Sequence, residues 1–167
     1  MKIFPNDSQL AARYAKGSAP MPAMLLGANG KSSKWRVTML TGPIPNMGGW
    51  PFYHYKEFVP YTLVVRGYNV FVLSVMIRFL LWFISWLIHF DGYWGRFFLE
   101  SKNEHLLVNY DESENTWITR RIRDHLRTTE KPDEMLGKFH WVFRGREIFL
   151  GYFTLTRIVE KDSETQA

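Results

Sequence analysis

Apolar positions are spread unevenly along the chain, and one stretch dominates. From Tyr68 to Phe90 the sequence reads YNVFVLSVMIRFLLWFISWLIHF, and its inner part, 70–88, holds one charge, Arg78. A helix of about 20 mostly apolar residues crosses a bilayer core. Neither Pro nor Gly interrupts the run, so the pattern predicts a transmembrane helix over 68–90. Tyr61, Tyr68, Trp86, Tyr93 and Trp94 stand where interfacial anchors belong. With 67 residues before it, the run reads as a retained span rather than a cleaved leader.

The polar residues inside the run are ordered too. Ser74, Arg78, Ser85 and His89 are spaced 4, 7 and 4 apart and would share one helical face. Phe71, Val75, Leu80, Phe83 and Leu87 would face the other way. A mid-span Arg costs about 2.5–3.5 kcal/mol on insertion scales. A polar stripe helps a helix only when another helix packs against it. Ser74, Arg78, Ser85 and His89 are therefore the expected partner-helix contacts.

The flanks divide into three parts. Residues 1–34 read as a flexible N-terminal arm, with two helical turns over 8–16 and then a Gly/Pro/Ser/Met-rich stretch. Residues 35–67 form an aromatic juxtamembrane segment. It contains a short strand at 35–41, turn chemistry in GPIPNMGGWP, and Phe52, Tyr53, Tyr55, Phe58 and Tyr61 as an interfacial belt. Residues 91–167 read as a small α+β domain. Within it, 105–110 suits a strand, and acidic DESEN opens an amphipathic helix over 115–127. That helix would carry Trp117, Ile118, Ile122 and Leu126 on one side and Arg120, Arg121, Arg123 and Arg127 on the other. The aromatic, β-branched runs at 137–143 and 147–158, separated by Arg144-Gly145-Arg146, predict a β-hairpin. The expected fold class is thus an α+β membrane protein: one transmembrane helix, then a small domain with one amphipathic helix and a C-terminal β-hairpin.

Composition sharpens this picture. The 167 residues suit about one domain. Aromatics make up 17% and charged residues 22%, which excludes a disordered chain. With no Cys there is no disulfide, thiolate zinc site or Cys nucleophile. The mean hydropathy of −0.21 fits a single span. Residues 1–67 carry eight basic against two acidic side chains, and residues 91–167 carry twelve against fourteen. The basic arm favours a cytoplasmic N-terminus, while the Arg-rich 115–127 segment argues the other way. The expected location is integral, in a membrane such as the bacterial inner membrane.

No catalytic, cofactor or metal motif is nominated. The five His (54, 89, 105, 125 and 140) show neither i,i+4 nor HExxH spacing. Glycine-rich phosphate loops and nucleophile elbows are absent. Asp111, Glu112 and Glu114 read as the start of a helix. Arg120, Arg121, Arg123, Arg127, Arg144 and Arg146 are candidate surface contacts. Nucleic acid is not an expected partner, because no recognition motif accompanies that charge. The expected function is a non-enzymatic, single-pass subunit of an envelope assembly of secretion, conjugation or respiratory type. It would meet the lipid bilayer and other membrane-protein subunits. The alternative is a membrane-anchored sensor or effector that binds a ligand through 91–167.

Overall fold

The computed structural model describes residues 7–42, 52–62, 64–73 and 93–159. A helix, α1 (Asp7–Lys16), and a 3-10 turn (Pro22–Leu25) precede eight strands. These are β1 (Ser33–Met39), β2 (Phe52–Tyr61), β3 (Val64–Leu73), β4 (Tyr93–Ser101), β5 (Leu106–Asn109), β6 (Ile122–Thr128), β7 (Glu134–Phe143) and β8 (Arg146–Arg157). Each strand pairs antiparallel with the next, and β8 returns to β1 with Trp35 opposite Arg157. The result is a closed up-and-down barrel.

Period-two alternation builds its wall. In β6, Ile122, Asp124 and Leu126 are buried, while Arg123, His125 and Arg127 lie on the other face. Among the described residues the interior holds five aromatic side chains beside ten aliphatic ones. Trp35, Phe58, Phe97 and Tyr110 form a chain of edge contacts, the last two steps with ring centroids 5.4 Å apart. Such bulk needs gaps. A Cβ at Gly137 would lie 2.2 Å from the Phe153 ring carbon that occupies its place. Outside, α1 lays Leu10 and Tyr14 against Leu136 and Tyr152. Arg13 ties it to Glu134 at 2.5 Å and to Glu130 at 3.3 Å.

One end of the barrel is plugged. The 3-10 turn buries Leu25 below Trp35, whose Nε1 donates to the Leu25 carbonyl at 3.1 Å. The Arg157 guanidinium lies 4.4 Å from the Trp35 ring centroid. It donates to the Leu26 carbonyl at 2.9 Å, the Met24 carbonyl at 2.6 Å and Asp133 at 3.2 Å.

Several expectations are corrected here. The expected span begins in strand, since Tyr68–Leu73 belongs to β3 and pairs with β2, with Lys56 opposite Asn69. Among the described residues no helix is long and apolar enough to cross a membrane. The α+β class, the single-pass description and the integral inner-membrane placement with a cytoplasmic N-terminus therefore lack their structural basis. The physical reason is that Tyr68–Leu73 completes a β-branched and aromatic strand begun at Val64, and composition alone does not show where that strand ends. The rest of the run, with Ser74, Arg78, Ser85 and His89, lies outside the described residues. The amphipathic helix at 115–127 is replaced by a 3-10 turn, Thr119–Arg121, followed by β6. Ile122 and Leu126 are four apart and fit both periods. Asp124, buried between them, shows that the operative period is two. The hairpin over 137–158 is present as β7–β8, as one step of the barrel wall. Outward positions carry Arg96, Arg123, Arg127 and Lys138, where a lipid-facing barrel needs an apolar band.

Candidate functional site: the open end of the barrel

At the end opposite the plug β1, β3, β5 and β7 finish and β2, β4, β6 and β8 begin. Just inside it lies a buried polar network. Lys56 and Asp124, 2% and 3% exposed, meet with Nζ 3.1 Å from Oδ2. Lys56 also donates to Asn69 Oδ1 at 2.8 Å and contacts the Tyr110 hydroxyl. Tyr110 in turn donates to Asp124 at 3.0 Å. Asn69 donates to the Gly95 carbonyl at 3.2 Å, and Gly95 holds φ +63, a conformation that suits glycine. His54 Nε2 lies 2.9 Å from Asn69 Oδ1.

Burial dominates the electrostatics of this group. It lowers the pKa of Lys56, and Asp124 offsets part of that effect. Burial and then the Lys56 charge bring His54 down to about 3. Burial, followed by the Asp124 charge, holds the Tyr110 phenol well above its usual range. All three Lys56 N–H donors are occupied, so the network is a saturated structural node that cross-links β2, β3 and β6.

Above it, the rim is exposed. Asn115 anchors the β5–β6 connection by donating to the Tyr110 and Arg96 carbonyls at 2.7 and 2.6 Å. This holds out Trp117, 66% exposed, and Ile118. Next to it, β7 and β8 are joined by the two residues Arg144 and Gly145, both with positive φ. That geometry matches the right-handed twist of a hairpin. It leaves Phe143, 47% exposed, and Ile148 on the lip. Arg121 lies 5.3 Å from the Trp117 ring centroid, and Arg144 lies 5.3 Å from that of Phe143. A shallow recess between the two connections is lined by Asp111, Trp117, Arg120, Arg121, Arg123 and Val142. Its single carboxylate pairs with Arg120 at 2.6 Å and Arg123 at 3.7 Å. Arg121, Arg144 and Arg146 have no carboxylate partner among the described residues.

Of the six candidate surface arginines, the structure gathers Arg120, Arg121, Arg123 and Arg144 around the mouth, with Arg146 beside them at the start of β8. Arg127 stands apart on the wall. It donates to the Glu104 carbonyl at 2.7 Å and covers the Tyr14 ring at 4.9 Å. Sequence reasoning missed the Lys56–Asn69–Tyr110–Asp124 network. It also missed a histidine row on the outer wall, running from His105, just before β5, across β6 to β7. There the rings of His105 and His125 stack with centroids 3.9 Å apart, and His125 and His140 are 4.2 Å apart. His125 Nε2 lies 2.9 Å from Glu147 Oε2. Burial, with the neighbouring imidazoles and cations, takes His125 down to about 3, and burial lowers His105 and His140 as well. These rings are therefore neutral at pH 7, with nitrogen lone pairs to offer. The residues best placed to hold a metal are His125, His140 and Glu147. No protein-family profile, curated protein or solved structure matches the chain.

Proposed function

We propose that the chain is a non-enzymatic docking barrel that binds the surface of an anionic lipid bilayer through its open end. The observation that carries this reading is the pairing of exposed Trp117, Phe143 and Ile148 with Arg121 and Arg144 around one mouth. Amphipathic aromatic rings favour headgroup depth. Each Arg near an anionic surface contributes about 1 kcal/mol. Continuity of the chain supports the same face. β3 ends and β4 begins at this mouth, and the sequence between them, 74–92, is the most apolar of the chain. The saturated Lys56–Asp124 node supports the non-enzymatic part, because its donors and acceptors serve one another and not the rim.

Flotation of the full chain with phosphatidylcholine vesicles, with and without phosphatidylserine, tests the reading. Binding is expected to need the anionic lipid and to weaken with salt. Arg121→Glu with Arg144→Glu is expected to reduce partitioning at least about tenfold, given about 1 kcal/mol lost per Arg and further repulsion. Partitioning unchanged by the double reversal contradicts the proposal. Loss of binding to neutral and anionic vesicles alike, with capture by a membrane protein instead, replaces lipid with protein as the partner.

A further inference from the structure

We infer that the outer wall of the barrel carries a divalent-metal site of zinc type, built by His125, His140 and Glu147. The inference is independent of the docking proposal, because these side chains lie on the outer face of β6, β7 and β8 and not in the Arg-rich recess. One donor atom from each residue lies within 4.8 Å of the other two. Three strands that are neighbours in the sheet supply them, and the sheet fixes the register: Arg123 opposite His140, and Val142 opposite Glu147. Two imidazoles and a carboxylate make a donor set that zinc accepts, with a fourth position left open.

A second observation points to a ligand. His140 is only 8% exposed, and its Nδ1 has no hydrogen-bond partner among the described residues. Buried polar atoms in native structures are almost always satisfied, and an orphan calls for a water or an ion. His105, stacked on His125 at an interplanar angle of 13°, holds that ring in place. Glu147 is the most exposed of the three and leaves a path for the ion from solvent. In the metal-bound state the His125–Glu147 hydrogen bond gives way to two bonds to the ion. Donors of a tetrahedral zinc stand about 3.4 Å apart, so no pair has to close by more than about 1.4 Å. Arg123 and Lys138 flank His125 and raise the local potential. They favour water, hydroxide or another anion in the open position over a fourth cationic or bulky neutral group.

Titration of the metal-free full chain with Zn2+, followed by calorimetry, and with Co2+, followed by its visible absorption, tests the site. The expected result is one ion per chain, with the intense Co2+ bands of four-coordination and displacement of Co2+ by Zn2+. Glu147→Gln keeps the shape of a half-exposed residue and therefore the fold. It is expected to weaken Zn2+ binding by about 100-fold or more, since even the outer partners of metal ligands cost 10–100-fold. His125→Asn is expected to do the same. Absence of saturable binding, or binding that survives both substitutions unchanged, overturns the site. Survival would place the ion on other histidines of the chain.

Discussion

The two ends of the barrel use the same pair of residue types to opposite effect. At the plugged end Arg157 covers Trp35, and every group is spent: the indole is 0% exposed and bonded to Leu25, while the guanidinium serves Met24, Leu26 and Asp133. At the mouth Arg121 covers Trp117, but the ring is 66% exposed and the guanidinium meets no carboxylate among the described residues. An Arg–Trp contact by itself therefore says nothing about role. What separates a structural pair from an available one is whether the backbone around it consumes its donors. The plug closes the barrel, and the rim leaves Trp117, with Arg121 beside it, open to solvent or a partner.

Substitutions at matched positions sharpen this contrast. Trp35→Ala removes the ring that fills the plugged end and is expected to cost about 3–5 kcal/mol, read as a large drop in the urea midpoint or outright failure to fold. Asp124→Ala should be nearly as severe, at about 3–5 kcal/mol, because it strands the Lys56 charge in the interior. Lys56→Met combined with Asp124→Leu should recover much of that loss, since an apolar pair of similar volume escapes the desolvation penalty. If Asp124→Ala unfolds at the wild-type midpoint, the network is not the structural node described above.

An acid titration gives an intermediate effect. His54 and His125 are both depressed to about 3 in the folded chain, against 6.5 when unfolded. Below pH 6.5 the unfolded state takes up protons that the folded state refuses. Stability is therefore complete above 6.5 and falls as pH drops toward 3, by up to about 1.4 kcal/mol per pH unit for each histidine. Urea midpoints in chelator between pH 7 and pH 4 check this, and His54→Gln should flatten the slope. The smallest effect on stability belongs to the rim. Trp117→Ala should change unfolding by less than about 0.5 kcal/mol while lowering vesicle binding, the reverse of the Trp35→Ala profile.

Parts of this architecture are legible in the sequence, and the reason is range. The β7–β8 hairpin is legible because its signal is local: two aromatic, β-branched runs around Arg144-Gly145-Arg146. The Arg residues of the rim are equally visible as charges. The barrel is not, because Tyr68–Leu73 continues into an apolar run whose composition also satisfies a membrane helix, and because Ile122 and Leu126 fit a helical face. The Lys56–Asp124 pair and the histidine row could not be found by spacing. Their members come from different strands, and only the sheet register brings His125, His140 and Glu147 together. A lone buried Asp between two apolar residues, as in Ile122-Arg123-Asp124-His125-Leu126, was the one local hint of an interior partner.

The absence of cysteine makes the two ends directly comparable by labelling. Ile118→Cys at the mouth and Met21→Cys at the plugged end are both exposed positions for a polarity-sensitive fluorophore. On addition of phosphatidylserine-containing vesicles, the docking account predicts a blue shift, and quenching by brominated lipid, for the probe at 118 with no change at 21. A shift at 21 alone, or equal shifts at both ends, would contradict it.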